Sequence, residues 1–197
     1  MKELFLKLDD EKRKRIVEAG IEEFSRKLFA DASINQIIKN AGIARGSFYL
    51  YFEDKLDFYC YLLDTIFENR TLAFVIELFQ TKQLDFLGFF REVFKFNLEL
   101  LNKDEHKQFF RNMYLGINKE VKIYFDSKRQ KVRDGLIQGA SHMIPEQLRG
   151  KPKRLNELIN IIQLIQGDLY IQGIANNMSI EAVLAVYDLR ISLLKTD

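Results

Sequence analysis

Apolar residues recur every three to four positions along almost the whole chain, and no stretch between turn signals sustains the two-residue alternation of a half-buried strand. The pattern predicts an all-α protein. From 10 to 29, Ile16, Gly20, Phe24 and Leu28 fall on one stripe and Val17, Ile21 and Phe24 on its neighbour. Lys12, Arg13, Arg15, Glu22, Glu23 and Arg26 lie mainly outside both. Asp9 or Asp10 is placed to cap this helix. The next helix begins at SINQIIKNAG, where Ser33 and Gln36 have the spacing of an S-x-x-Q capping box. Its Ile34, Ile37, Ile38 and Ala41 face inward, and Gly42 suits the left-handed turn that ends a helix. A short helix restarts at Ala44 or Arg45. Two short helices joined by a glycine-containing turn and packed on a longer one make a helix-turn-helix.

The stretch GSFYLYFEDK, residues 46–55, then divides its rings between inside and outside. Phe48 and Phe52, four apart, share a face and close against Ile37, Ile38 and the first helix. Tyr49 lies about 100° further round and Arg45 one turn before it, so Arg45, Gly46, Tyr49 and Tyr51 are expected to face outward together. Gly46 lets a phosphate or base edge approach the backbone closely. Asp54 is placed to cap the following helix, and Lys55 stands in its first turn beside free N–H groups, where a phosphate fits. Covering tyrosines and a solvated lysine are the bland alternative.

Composition narrows the classes. A chain of 197 residues, 47% hydrophobic and 29% charged, accommodates one large domain, or a small one plus a larger one. No apolar run approaches the roughly 18 residues of a membrane span. Met1 to Asp10 mixes Lys2, Glu3, Lys7 and Asp9 where a secretory signal would be apolar, so no membrane partner and a cytoplasmic location are expected. Cys60 is the single cysteine and His106 and His142 the two histidines, which argues against a disulfide and a zinc site. There is no glycine-rich phosphate loop and no Ser, His and Asp set at recognisable spacing. Hence no enzyme activity, metal or cofactor is expected. The net charge of +2 does not argue for nucleic acid by itself, and residues 1–55 carry eleven Lys/Arg against ten Asp/Glu, a net of +1. Placement of the charges has to carry that case.

The run from about Glu11 to Leu63, above all SINQIIKNAGIARGSFYLYFEDK, resembles the DNA-binding domain of the tetracycline-repressor (TetR) family of bacterial transcription regulators. A pattern A-G-[VI]-x-x-G-[ST]-[FIL]-Y-x-[YH]-F followed by Lys is matched from Ala41 to Phe52 and at Lys55. The resemblance implies that Ser33 and Gln36 meet the DNA backbone, that Arg45, Gly46 and Ser47 enter the major groove, and that Tyr49, Tyr51 and Lys55 hold phosphates. Tyr51 could also touch a thymine methyl. Ile38 stands where the family often has Ala, Ala44 where Ser or Thr often caps, and Leu56 where Glu commonly follows the lysine. Ala44 puts a cap hydroxyl contact in doubt.

Beyond this segment, helices are expected over 54–79, 84–101, 105–113, 120–140, 154–176 and 179–195, with breaks at QTKQ, NKDE, GINK, MIPEQLRGKPK and NNM. The last two are apolar on more than one side. Leu158, Ile162, Ile165 and Leu169 form one stripe and Ile161, Leu164 and Ile171 another; Val183, Tyr187, Ile191 and Leu194 lie beside Val186, Leu189 and Leu193. One stripe can face the chain's own core and the second a copy of the chain, giving a four-helix homodimer interface that Gly167 and Gly173 would let close. The aromatic middle helices suggest an apolar small-molecule effector held by Phe90, Asn97, Phe110, Tyr114 and Phe125, with Asn69 as a further member. Alternatively, Asn97 bonds to a neighbouring helix and the phenylalanines are core.

The sequence thus describes a helix-turn-helix DNA-binding domain over 1–55 and a larger helical effector-binding and dimerisation domain over 56–197. Its expected partner is double-stranded, palindromic operator DNA. The most direct function is a ligand-responsive repressor. A regulator that activates, or that has no small-molecule effector, is the alternative.

Overall fold

The computed structural model describes residues 1–81, 83–103, 105–116, 119–128 and 141–194, and every regular element among them is helical. In order these are α1 (Glu3–Leu6), α2 (Asp10–Arg26), α3 (Ile34–Ala41), α4 (Arg45–Tyr51), α5 (Lys55–Leu63), a π-helical turn (Asp64–Glu68), α6 (Asn69–Thr81), α7 (Phe86–Leu101), α8 (Lys107–Leu115), α9 over 119–128, two 3-10 turns (Ser141–Met143 and Glu146–Leu148), α10 (Pro152–Ala175) and α11 (Ile180–Ser192). The part of the expected 120–140 helix beyond 128 lies outside the described residues.

Local chemistry sets several of these boundaries. Asp9 Oδ1 accepts the N–H of Lys12 at 2.8 Å and Asp54 Oδ1 that of Asp57 at 2.8 Å, so α2 and α5 each start on an aspartate cap. Gly42, at φ 65° and ψ 38°, ends α3 in the left-handed region. There Ile43 N–H reaches the Ile38 carbonyl and Gly42 N–H that of Lys39, the paired bonds of a Schellman cap. Pro152 opens α10, where its missing N–H costs nothing. The capping box expected at Ser33 and Gln36 is not formed: Ser33 makes no side-chain cap bond, and Gln36 Nε2 donates to Asn40 Oδ1 instead. Glu23 of α2 takes over half of that role, its Oε1 accepting the Ser33 N–H at 2.9 Å.

The described chain divides into two compact units, residues 1–70 with 101–124, and 71–100 with 125–197. In the first, α3, α4, α5 and α8 surround the apolar face of α2. Ile16, Phe24, Ile37, Phe48, Phe52, Phe58 and Phe109 are buried, and Phe24 makes edge contacts with Tyr59 at 4.6 Å and Phe109 at 6.3 Å. This unit extends past residue 55 because Phe58, Tyr59 and Leu62 of α5 and Phe109 of α8 complete the same core. Asn112 of α8 donates from Nδ2 to the carbonyls of Phe24 at 3.0 Å and Ser25 at 2.8 Å, closing the end of α2.

In the second unit α7, α10 and α11 bury Phe90, Phe94, Ile159, Ile162, Leu169, Val183, Tyr187 and Ile191 in one cluster. Phe94 and Tyr187 lie 4.9 Å apart, and Arg91 of α7 forms a two-point pair with Asp188 of α11 at 2.7 and 2.8 Å. A Cβ on Gly173 would stand 3.1 Å from Val183, so this glycine serves a close approach within the unit, whereas at Gly167 nothing lies within 4 Å. The second apolar stripe is left outside: Leu164 is 68% and Leu193 77% exposed, with Ile161, Ile171 and Leu189 also exposed and Val186 half-buried. No helix among the described residues is long and apolar enough to cross a membrane.

Candidate nucleic-acid interface

α3, the Gly42 turn and α4 put a small set of polar groups on one outer surface of the first unit. Phe48 and Phe52 are fully buried, as their spacing predicts, and this fixes which side of α4 is left outside. Arg45, Gly46 and Tyr49 are exposed on that side, Tyr49 at 39%, and Ser47 is half-buried. Nothing lies within 4 Å of where a Gly46 Cβ would be, so the backbone there is open to close approach.

The guanidinium of Arg45 is oriented by two neighbours. Nη1 donates to Asn35 Oδ1 at 2.6 Å, and its carbon stands 6.0 Å from the centre of the Tyr49 ring. Asn35, exposed on the first turn of α3, is a member of this surface that sequence reasoning missed; its only signal was its place one turn before Lys39 on the polar side of α3. Gln36, half-buried, continues the polar row to Asn40 at 2.7 Å, whose Nδ2 reaches Glu22 of α2 at 3.4 Å.

Lys55 lies at the start of α5, but its ammonium is already engaged. Nζ donates to the carbonyls of Ala30 at 3.1 Å and Ala32 at 3.0 Å and sits 4.8 Å from the centre of the Phe29 ring. It therefore pins the connection between α2 and α3. An ammonium has three donors, so two carbonyls leave one for an external anion. Ser33 is held by the same connection through Glu23, which is only 3% exposed although the helical pattern places it outside. The buried carboxylate is compensated by the Ser33 N–H and by Lys27 Nζ at 3.4 Å.

Tyr51 corrects the expectation that it faces outward. It is 5% exposed, because α1 folds over it and places Phe5 with ring centres 5.8 Å from Tyr51 and 4.8 Å from Phe52. Sequence reading had no element at 3–6, since one turn is too short for periodicity to register and Phe5 is the single aromatic in a charged stretch.

The proposed effector residues are distributed between the units. Asn69, Phe110 and Tyr114 belong to the first and Phe90, Asn97 and Phe125 to the second. Asn69 is exposed, Phe110 is buried against Phe67 and Phe109, and Phe90 is buried beside Phe86 and Phe89. Asn97 is buried, and its Oδ1 accepts the hydroxyl of Thr71 at 2.7 Å.

The sequence profile described as bacterial regulatory proteins, tetR family, matches residues 16–59, and that described as tetracyclin repressor-like, C-terminal domain, matches residues 85–196. The chain belongs to the tetR family of bacterial regulatory proteins. The chain is 43% identical over 60 residues to the uncharacterized HTH-type transcriptional regulator YdgC of Bacillus subtilis (strain 168), covering 30% of each chain. It is 50% identical over 44 residues to YvdT of the same organism, covering 22% of this chain and 23% of that one. The similarity thus spans less than a third of these curated relatives. Solved structures extend the likeness of fold to nearly the full length. A transcriptional regulator from Pseudomonas aeruginosa PAO1 superposes with a TM-score of 0.70 at 16% identity, over 96% of this chain and 93% of that one. A regulator of the TerR/AcrR family from Aquifex aeolicus VF5 gives 0.61 at 18%, over 93% and 99%. In this tetR-family chain the surface of Arg45, Gly46 and Tyr49 lies inside the segment matched to the family's N-terminal region.

Proposed function

We propose that the protein is a transcription regulator that reads double-stranded operator DNA with α4 and acts as a repressor. The observation that carries this reading is the outer face of α4, where a guanidinium oriented by Asn35 stands beside an open glycine and a half-exposed tyrosine. Arg45, Gly46 and Ser47 would enter the major groove, where Arg makes two-point contacts to guanine. Tyr49, Lys55, Ser33 and Gln36 would meet phosphates, Lys55 with its remaining donor. Tyr51 would act by packing in the free protein. Residues 1–55 would then carry recognition and 56–197 dimerisation and effector binding.

The exposed stripe of Ile161, Leu164, Ile171, Leu189 and Leu193 supports a homodimer through α10 and α11, with Val186 at its edge. A palindrome read in successive major grooves needs two recognition helices about 34–36 Å apart, or a multiple of that, which a fixed dimer supplies. An apolar effector is supported by the buried amide of Asn97 near Phe90 and Phe94 on α7. The Thr71 bond favours the other reading, a regulator without a small-molecule effector, because the amide oxygen already has a partner.

The deciding experiment is selection of duplexes from a randomised library by the wild-type chain, followed by affinity and salt titration. Arg45→Ala should cost about 1–3 kcal/mol of discrimination per base pair read. Lys55→Ala should weaken all duplexes similarly and reduce the salt slope by about one per subunit. A wild type that enriches no duplex, or an Arg45→Ala protein with unchanged preference, overturns this reading. For the effector, operator affinity with and without members of a lipid and drug panel, in wild type and Asn97→Leu, separates the two alternatives.

A further inference from the structure

α4 is a helix of seven residues whose N-cap, Ala44, makes no side-chain bond, so little within its own sequence holds it. Its C-terminal carbonyls are satisfied from elsewhere. Phe48 O accepts the N–H of Phe52 at 2.9 Å, but Tyr51 O accepts the backbone N–H of Lys2 at 2.8 Å and Tyr49 O accepts Lys2 Nζ at 2.8 Å. One residue therefore closes two of the helix's open carbonyls and brings a positive charge to its negative end. Lys2 is itself held. The fully buried Phe5 meets Phe52 at 4.8 Å, Tyr51 at 5.8 Å and Tyr61 at 5.1 Å, and Arg13 of α2 donates to the Leu6 carbonyl at 3.2 Å. α1 is thus a strap tied to α2 at one end and to the last turn of α4 at the other.

We propose that α1 is a positioning element for DNA reading, in which Lys2 and Phe5 hold the end of α4 so that Arg45, Gly46 and Tyr49 are presented in a fixed orientation. This rests on the reading of α4 as the helix that meets bases. Lys2 acts through the backbone of α4 and touches neither base nor phosphate. Its loss costs selectivity more than it costs general attraction to DNA, because a misplaced reading helix forfeits two-point base contacts while Lys55, on α5, is left in place to meet a phosphate.

The test uses the full chain, the duplex enriched by wild type from a randomised library and a scrambled duplex of equal length. Lys2→Met should lower affinity for the enriched duplex about tenfold and for the scrambled one less than about twofold, with an unchanged salt slope. Lys2→Arg, which keeps a donor and the charge, should restore most of the loss, and Phe5→Leu should behave like Lys2→Met. Amide exchange of residues 48–52 should become about tenfold faster in Lys2→Met while that of α10 stays the same. Equal losses on both duplexes with the salt slope lower by about one per subunit would make Lys2 a phosphate contact and overturn the proposal. So would unchanged affinity and exchange. If wild type enriches no duplex, the DNA reading fails separately, and the exchange rates of 48–52 still decide whether α1 holds α4.

Discussion

Asn112 of α8 closes the end of α2, and its removal should be felt there. Its Nδ2 reaches the carbonyls of Phe24, Ser25 and, at 3.4 Å, Lys27. Two amide protons make two full hydrogen bonds, the third carbonyl sharing one of them, and each bond contributes about 1 kcal/mol net. Asn112→Ala should therefore destabilise the C-terminal turn of α2 by about 2 kcal/mol, less whatever water recovers at this half-buried site. Asn112→Asp removes the same donors and places a carboxylate at the negative end of α2, adding about 0.3–1 kcal/mol. With two compact units, a single global unfolding curve is an ambiguous readout. Amide exchange across 20–28 reads the turn itself, and about 2 kcal/mol corresponds to exchange roughly thirtyfold faster if these amides open locally. An alanine variant within about 0.5 kcal/mol of wild type, or an aspartate variant as protected as wild type, would refute the capping account.

Three further outcomes follow from single contacts. A Cβ at Gly20 would lie 2.5 Å from the Phe58 ring and 2.9 Å from Leu62, so Gly20→Ala should cost the first unit about 1–3 kcal/mol, read from amide exchange of α2, despite alanine's better helix propensity. His106 is held below its ordinary value of 6.5 chiefly by burial, with Glu105 opposing and Arg70 assisting. The unfolded chain thus binds that proton more tightly; stability present above about pH 6.5 falls as pH drops through that value, and His106→Gln should flatten this part of the stability profile. Leu164→Glu and Leu189→Glu, at exposed positions, should leave the melting of the isolated subunit nearly unchanged while shifting sedimentation toward monomer.

Where local rules act alone, the sequence was a good guide. The spacing of Phe48 and Phe52, the glycine that ends α3 and the aspartate that opens α5 each have a cause within four residues, and each is present. The double stripes of α10 and α11 also resolve into an inner and an outer face. What escaped were side chains whose partners come from another element. Glu23 is polar by pattern and buried by structure because the 27–33 connection folds back onto it. Lys55 is engaged by carbonyls of that same connection, and Tyr51 is covered by a helix too short to leave a periodic trace. Asn35 needed the orientation of α3 against α4 to be known before its bond to Arg45 could be seen.

The first unit is interrupted in sequence, since residues 71–100 belong to the other one. During synthesis the helix-turn-helix emerges from the ribosome long before α8, which carries Phe109 against Phe24 and Asn112 against the end of α2. At roughly 5–20 residues per second, the 54 positions between 70 and 124 take about 3 to 11 s to translate. For that interval the sides of Phe24 and Tyr59 that meet Phe109 lack their cover. A fragment ending at residue 70 would remain permanently in that condition, which makes the contiguous piece a poor stand-in for the recognition unit.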